Sequence, residues 1–301
     1  MSRPLQWDGE GRIWPNREAS RFVEAGGARW HVQQMGDSTQ PHALLLHGTG
    51  ASVHSWGPLM PMLAEHFHVT AMDLPRHAFT RGHPPDAMSL PRMAGEIARL
   101  NTALGIAPDI IIGHSAGAAL ALQLALDHGF GGAIVGLNSA LRPFPGPAAQ
   151  IFPAMAKLLF VNPLVPRIFS RMTTFGKEAD RFLYRSTGSR IDADSMACYA
   201  ALFANSRHTG GGLAMMANWD LPTLKTRMHL AANPVLLVHS DKDAAIPLDW
   251  AREASGWLPD ARLEVLEGLG HLAHEEAPQR SFDAIMEFAR ARSISGSAPI
   301  P

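Results

Sequence analysis

One stretch constrains this chain more than any other: Pro108-Asp109-Ile110-Ile111-Ile112-Gly113-His114-Ser115-Ala116-Gly117-Ala118-Ala119-Leu120. It opens with a short apolar run rich in β-branched Ile, which reads as a buried parallel strand. It continues as an Ala- and Leu-rich run to about Asp127, which reads as a helix. Between them, Gly113-x-Ser115-x-Gly117 has the form of a nucleophile elbow, a sharp strand-to-helix turn with a serine at its apex. The apex backbone of such a turn is strained. A Cβ two positions to either side would collide with the neighbouring strand and helix, and glycine removes the collision. Ser115 then points out of the sheet above the positive end of a helix.

Composition narrows the class. The chain has 301 residues, 46% of them hydrophobic, enough for one large α/β domain with an insertion or for two domains. A formal charge of −1 gives no global attraction to nucleic acid, and no such partner is expected. The single cysteine, Cys198, excludes a disulfide within the chain and leaves no Cys-based metal site. No His/Glu spacing reads as a metal site either, so no metal or cofactor is expected. The first nine residues lack an apolar core of signal-peptide type, and no apolar stretch is long enough to span a bilayer. A cytoplasmic protein is the expectation.

The chain then reads in order. Residues 1–20 form an arm, with Trp7 and Trp14 packed on the body. Arg21 to Met35 alternates around Gly26-Gly27 and reads as a β-hairpin. Strands are expected at Ala43–Leu46, His68–Leu74, Gly132–Leu137, Pro234–His239 and Arg262–Leu266. Helices are expected at Trp56–Phe67, Leu90–Leu104, Pro247–Trp257 and Glu276–Ala291. The alternation predicts a mostly parallel, doubly wound sheet. The rhythm breaks over residues 141–219, which carry six prolines before residue 167, seven of the thirteen Phe and no strand signal. They read as a helical lid inserted between core segments 1–140 and 220–301. The insertion carries nine Lys or Arg against four acids. Its apolar residues Phe152, Met155, Phe160 and Phe169 are candidates for the ceiling of a pocket. Arg167 and Arg171, four apart, are candidates for carboxylates or anionic lipid heads, so peripheral membrane contact through the lid is one expectation.

Two later loops complete the elbow. His239-Ser240-Asp241-Lys242-Asp243-Ala244-Ala245-Ile246-Pro247 follows a strand, and Gly268-Leu269-Gly270-His271-Leu272-Ala273-His274-Glu275 follows the last strand. In this reading the Ser115 hydroxyl is the nucleophile, His271 its base, and Asp243 the group that orients the imidazole. Asp241 is the rival acid, and the Asp-x-x-Ile-Pro spacing favours Asp243. His274 is the rival base, otherwise lining the site or pairing with Glu275 or Glu276. Amides of Ala116 and Thr49 are the candidate oxyanion donors. His47, Gly48 and His114 are candidate pocket residues, with His47 bracing the loop His47-Gly48-Thr49-Gly50 and His114 packing beside the elbow. His77 stabilises its own loop, and His66, His68 and His229 read as surface or packing residues.

The order Ser…Asp…His, with the oxyanion loop, resembles the α/β-hydrolase superfamily over residues 20–293. A narrower resemblance rests on Trp14-Pro15-Asn16-Arg17-Glu18-Ala19-Ser20-Arg21-Phe22-Val23, with His47-Gly48-Thr49-Gly50-Ala51-Ser52 and His54-Ser55-Trp56. These look like the α/β-hydrolase of bacteriochlorophyll synthesis, the magnesium-chelatase accessory family called BchO. The resemblance implies a role at or near magnesium insertion into protoporphyrin, with a tetrapyrrole as ligand and chelatase subunits as partners. The chain departs from many relatives at Asp73-Leu74-Pro75-Arg76-His77-Ala78, where Asp-x-Pro-Gly-His-Gly is usual. Losing both glycines questions the backbone geometry of that loop.

Together these readings predict a cofactor-free serine hydrolase acting on an ester, or related acyl compound, of an apolar ligand. One alternative is a non-catalytic porphyrin-binding or chelatase accessory protein. Another is a general carboxylesterase or cofactor-free haloperoxidase-like enzyme. Epoxide hydrolases and dehalogenases of this fold would want Asp at position 115.

Overall fold

The computed structural model describes residues 2–142 and 178–294, with the side chains of Pro85 and Asp86 outside that description. The strands are β1 (Ser20–Ala25), β2 (Ala28–Met35), β3 (His42–Leu46), β4 (His68–Met72), β5 (Ile110–His114), β6 (Ala133–Leu137), β7 (Val235–Ser240) and β8 (Ala261–Leu266). They form one sheet in the order β1-β2-β4-β3-β5-β6-β7-β8. β1 and β2 pair antiparallel, as do β2 and β4, and the remaining pairs are parallel. The β1–β2 connection is the two-residue turn Gly26-Gly27, with φ of +61° and +78°. Positive φ at both positions is what a hairpin turn of this hand requires, and glycine supplies it at no steric cost.

The helices are α1 (Leu59–Ala64), α2 (Leu90–Leu104), α3 (Ala116–His128), α4 (Glu178–Thr187), α5 (Ala193–Phe203), α6 (Ser206–Asn218), α7 (Leu221–Arg227), α8 (Leu248–Ser255), α9 (Ala273–Glu276) and α10 (Pro278–Ala291). Side chains alternate across the central strands. Leu44 and Leu46 of β3 pack with α2 and α3 on one face, while Ala43 and Leu45 pack with α1 and α10 on the other. Both faces of β3, β5 and β6 are therefore buried, and these strands read as continuous apolar runs. Trp14 is buried and its indole N–H donates to Ser52 Oγ, while the Trp7 ring stands edge-on to Phe22 and Phe79. The N-terminal arm is thereby fastened to the body.

One expected helix is broken and another starts later than expected. The span 56–67 is a 3-10 turn at Val53–Trp56 followed by α1, because Gly57-Pro58 interrupts the hydrogen-bond ladder between them. The closing helix starts at Pro278 and not at Glu276, since Ala277 (φ −142°, ψ 69°), the residue before a proline, is pushed out of the helical region. Within the 141–219 insertion, the described part consists of α4, α5, α6 and their connections. Phe152, Met155, Phe160, Phe169, Arg167 and Arg171 lie outside the described residues.

The loop after β4 keeps left-handed backbone without glycine: Arg76 has φ +62° and Ala78 φ +40°. Each such residue costs roughly 1–2 kcal/mol. The buried Asp73 carboxylate holds the loop by accepting hydrogen bonds from His31 Nδ1 (2.8 Å), the Val53 amide (2.9 Å) and the Phe79 amide (3.1 Å). His77 Nδ1–H donates to Pro75 O, and the Ala78 amide donates to His208 Nδ1.

Candidate active site

Ser115 stands between β5 and α3 with φ +52° and ψ −113°, a conformation rare for an L residue. The flanking glycines are set by contact. A Cβ at Gly113 would lie 2.3 Å from the Gly117 carbonyl carbon, and a Cβ at Gly117 would lie 1.9 Å from Leu46 O. The two clashes fall on the helix and on the adjacent strand, as the motif requires. Ala116 is the first residue of α3, so its amide has no partner within the helix.

The structure brings Asp243 and His271 together. β7 and β8 lie side by side, and the loops leaving them set His271 Nδ1–H to donate to Asp243 Oδ2 at 2.7 Å. The same carboxylate accepts from Asn138 Nδ2 at 2.8 Å, and its other oxygen accepts from the Ala245 and Ile246 amides, each at 2.8 Å. Burial pulls the Asp243 carboxyl upward, but the bond and charge of His271, with the Ile246 and Asn138 donors, outweigh it and hold the group below its ordinary range. It is therefore an anion at neutral pH, able to fix the imidazole tautomer. Asp241 points elsewhere: it accepts from the Gly268 amide and pairs with Lys242 at 3.1 Å.

Ser115 and His271 line one cavity of about 400 Å³ together with Gly48, Thr49 and His114. Among the described hydrogen bonds none joins the Ser115 hydroxyl to His271, and such bonds are often long in unliganded sites. The remaining wall comes largely from α4, α5 and α6, including Phe182, Leu183, Tyr199, Phe203, Leu213 and Met216. Its polar groups are turned into the protein. Thr187 Oγ1 donates to Leu183 O, Ser186 Oγ to Phe182 O, Thr209 Oγ1 to Asn205 O and Tyr199 OH to Glu275 Oε1. Among the described residues the cavity is thus apolar apart from its floor at Ser115, His114 and His271.

His114 joins three parts of this floor. It precedes Ser115, and its Nε2–H donates to the His271 carbonyl at 3.0 Å. That bond leaves Nδ1 bare, and Nδ1 is buried without a partner. A Cβ at Gly48 would stand 2.9 Å from that nitrogen, so position 48 has room for glycine only. Burial, then the neighbouring His274 and His271, push the His114 imidazole well below its ordinary range, so it stays neutral.

His47 and His274 do not line the cavity, contrary to the expectation that they would. His47 is fully buried, donates from Nδ1 to Gly48 O at 2.7 Å and accepts the Leu74 amide at 2.9 Å. It braces the loop from behind, and burial, with His77 nearby, lowers its pKa to about 3. His274 stacks behind His114 with ring centroids 4.4 Å apart and donates to Ser55 Oγ at 2.9 Å. Burial lowers its pKa to about 3, which leaves it uncharged. Among the described residues no group of three or more His, Cys, Asp or Glu could hold a metal ion.

Sequence reasoning missed four contributors. Asn138, with φ +46° at the end of β6, donates to Asp243, and its one visible sign was an Asn closing a strand. Ser55 and Tyr199 both donate to Glu275 Oε1, joining α5 to the core. Burial raises the Glu275 carboxyl to about 8 against the pull of those donors. Thr187 O, at the end of α4, accepts from the His271 amide at 2.8 Å and from the Ala244 amide at 3.3 Å.

The sheet order, the elbow and the loops around it define an α/β hydrolase, and residues 43–284 match the alpha/beta hydrolase family, to which the chain belongs. Over 268 residues it is 40% identical to the magnesium-chelatase 30 kDa subunit of Rhodobacter capsulatus, covering 88% of this chain and 92% of that protein. Two solved structures share the fold. The enol-lactonase of Burkholderia xenovorans LB400 superposes with a TM-score of 0.72 at 19% identity, covering 90% of this chain and all of that one. The epoxide hydrolase CorEH superposes with a TM-score of 0.76 at 22% identity, covering 91% and 99%.

Proposed function

We propose that the chain is a serine hydrolase that cleaves an ester, or a related acyl bond, of an apolar ligand through an acyl-enzyme. The observation that carries this reading is the Asp243–His271 pair at 2.7 Å opening onto the same apolar cavity as the strained Ser115. Ser115 attacks the carbonyl while His271 takes its proton. Asp243 stabilises the resulting imidazolium, and the amides of Ala116 and Thr49 receive the oxyanion. His271 then returns the proton to the leaving alcohol, and water repeats the sequence on the acyl group. No metal or cofactor takes part in this scheme. The 141–219 insertion acts as a lid that supplies the apolar wall. The similarity to a magnesium-chelatase subunit supports placing the reaction near magnesium insertion into a tetrapyrrole, in the cytoplasm and beside chelatase subunits. Among the described residues no helix is long and apolar enough to cross a membrane.

A fluorophosphonate probe should label the wild type and leave Ser115→Ala unlabelled. Equal labelling of both would remove Ser115 from the chemistry. A screen of tetrapyrrole esters against simple aliphatic esters then sets the substrate class. The accessory reading, a protein that holds a porphyrin without cleaving it, is favoured by the 40% identity to a chelatase subunit. It predicts that Ser115→Ala supports magnesium insertion by purified chelatase as well as the wild type does.

A further inference from the structure

Three arginines near the loop after β4 take no part in the site above. The first, Arg76, occupies left-handed backbone that a glycine would adopt without strain. Its Nε is buried without a hydrogen-bond partner, and so is Nε of Arg81. Among the described residues no carboxylate lies within ion-pair distance of Arg76, Arg81 or Arg207, whereas arginines such as Arg3, Arg99 and Arg262 are paired.

These three arginines are gathered around helix α6 and the N-terminal arm. Helix α6 rests Gly211 on the Arg76 backbone, where an added Cβ would be 2.3 Å from Arg76 O and 3.2 Å from Arg76 Cβ. Arg207 lies one turn earlier on the same face of α6, which sets it beside Arg76. Arg207 Nε donates to Ser2 O at 2.8 Å, and Arg81 Nη2 donates to Leu5 O, so the arm residues 2–5 run from one guanidinium to the other. Burial first, and then Arg207, hold the Arg76 guanidinium below its ordinary range. Arg81 is lowered by burial, then by Arg29 and Arg207.

Partly desolvated like charges repel unless an anion joins them. A guanidinium presents planar paired donors that fit the two oxygens of a carboxylate or phosphate. We propose that Arg76, Arg81 and Arg207 form an oxyanion-binding site between the loop after β4 and α6. The site is separate from the Ser115 cavity, because Arg207 and Arg76 are not among the residues that line it. Its ligand is a small phosphate or carboxylate group. The strained backbone at position 76 is retained for the side chain it presents.

The test is a thermal melt of the full chain in sodium chloride, then in sodium phosphate or sodium succinate at the same ionic strength. At least one of the two anions should raise the wild-type Tm by several degrees in a saturable way, and which one does so separates phosphate from carboxylate. Arg76→Asn, which tolerates left-handed backbone but lacks the charge, should lose most of that rise, and Arg207→Gln should lose part of it. Arg76→Gly in chloride should melt no lower than the wild type, since glycine relieves the strain. The site is refuted if neither anion exceeds chloride or if Arg76→Asn keeps the full rise. It is refuted equally if Arg76→Gly melts several degrees lower in chloride, which would make the guanidinium a structural strut.

Discussion

Of the places where L residues take positive φ, the elbow and the loop after β4 handle it differently. At the elbow, Ser115 is flanked by Gly113 and Gly117, whose absent Cβ atoms would stand 2.3 and 1.9 Å from backbone. After β4, Arg76 and Ala78 take left-handed angles themselves, and hydrogen bonds to Asp73, His77 and His208 hold them there. At positions 113 and 117 the need for glycine is one of space, and no side chain can satisfy it. At positions 76 and 78 the demand is conformational, and an L residue can meet it at a modest cost in stability. A motif glycine is therefore dispensable or not according to what its missing Cβ would strike.

The largest expected effect concerns the chemistry that the elbow serves. Asp243→Asn should slow turnover by about 10³–10⁴-fold, because it favours the wrong imidazole tautomer. Asp241→Asn should change it less than about tenfold. Reversed effects in ester hydrolysis assays would transfer the role to Asp241. Next comes Gly117→Ala, which should destabilise by about 3 kcal/mol or more, because its Cβ meets a carbonyl oxygen that belongs to β3. A urea midpoint close to wild type would break the steric half of the comparison. Smaller is the difference between two inactive variants. Ser115→Gly should be more stable than Ser115→Ala by about 1 kcal/mol, because only glycine relieves the apex. Equal melting temperatures would mean the apex is not strained. The smallest is Ala78→Gly, expected to stabilise by roughly 0.5 kcal/mol once relief of strain is set against added unfolded-state entropy. A clear loss of stability would show that the loop prefers Ala on packing grounds.

Local signals in the sequence gave a good account of local structure. Gly26-Gly27 announced the hairpin, the β-branched run announced β5, and Gly113 and Gly117 announced the elbow. The loops bearing Asp243 and His271 could be seen at strand ends, but their approach depends on β7 pairing with β8. The contribution of Asn138 depends on β6 lying beside β7, and no spacing along the chain encodes that neighbour. The fifteen histidines were hard to sort, because burial neutralises an imidazole whether it lies at the floor of a cavity or behind it. His47 and His274 fell behind it. The break at Gly57-Pro58 was written in the sequence, yet apolar periodicity ran through it and masked it.

Thr187 has a mechanical consequence. Its carbonyl holds the amides of His271 and Ala244, and the next residues are wedged between the same two loops. A Cβ at Gly188 would lie 2.6 Å from Lys242 O, and Ser189 Oγ accepts the Leu272 amide at 2.8 Å. The C-terminal end of α4 is thus a fixed pivot set into the loops that carry Asp243 and His271. Helix α4 cannot swing away as a free flap without dragging those loops with it. A force applied to the exposed face of α4 is transmitted through residues 187–189 to the backbone of the loops that carry Asp243 and His271.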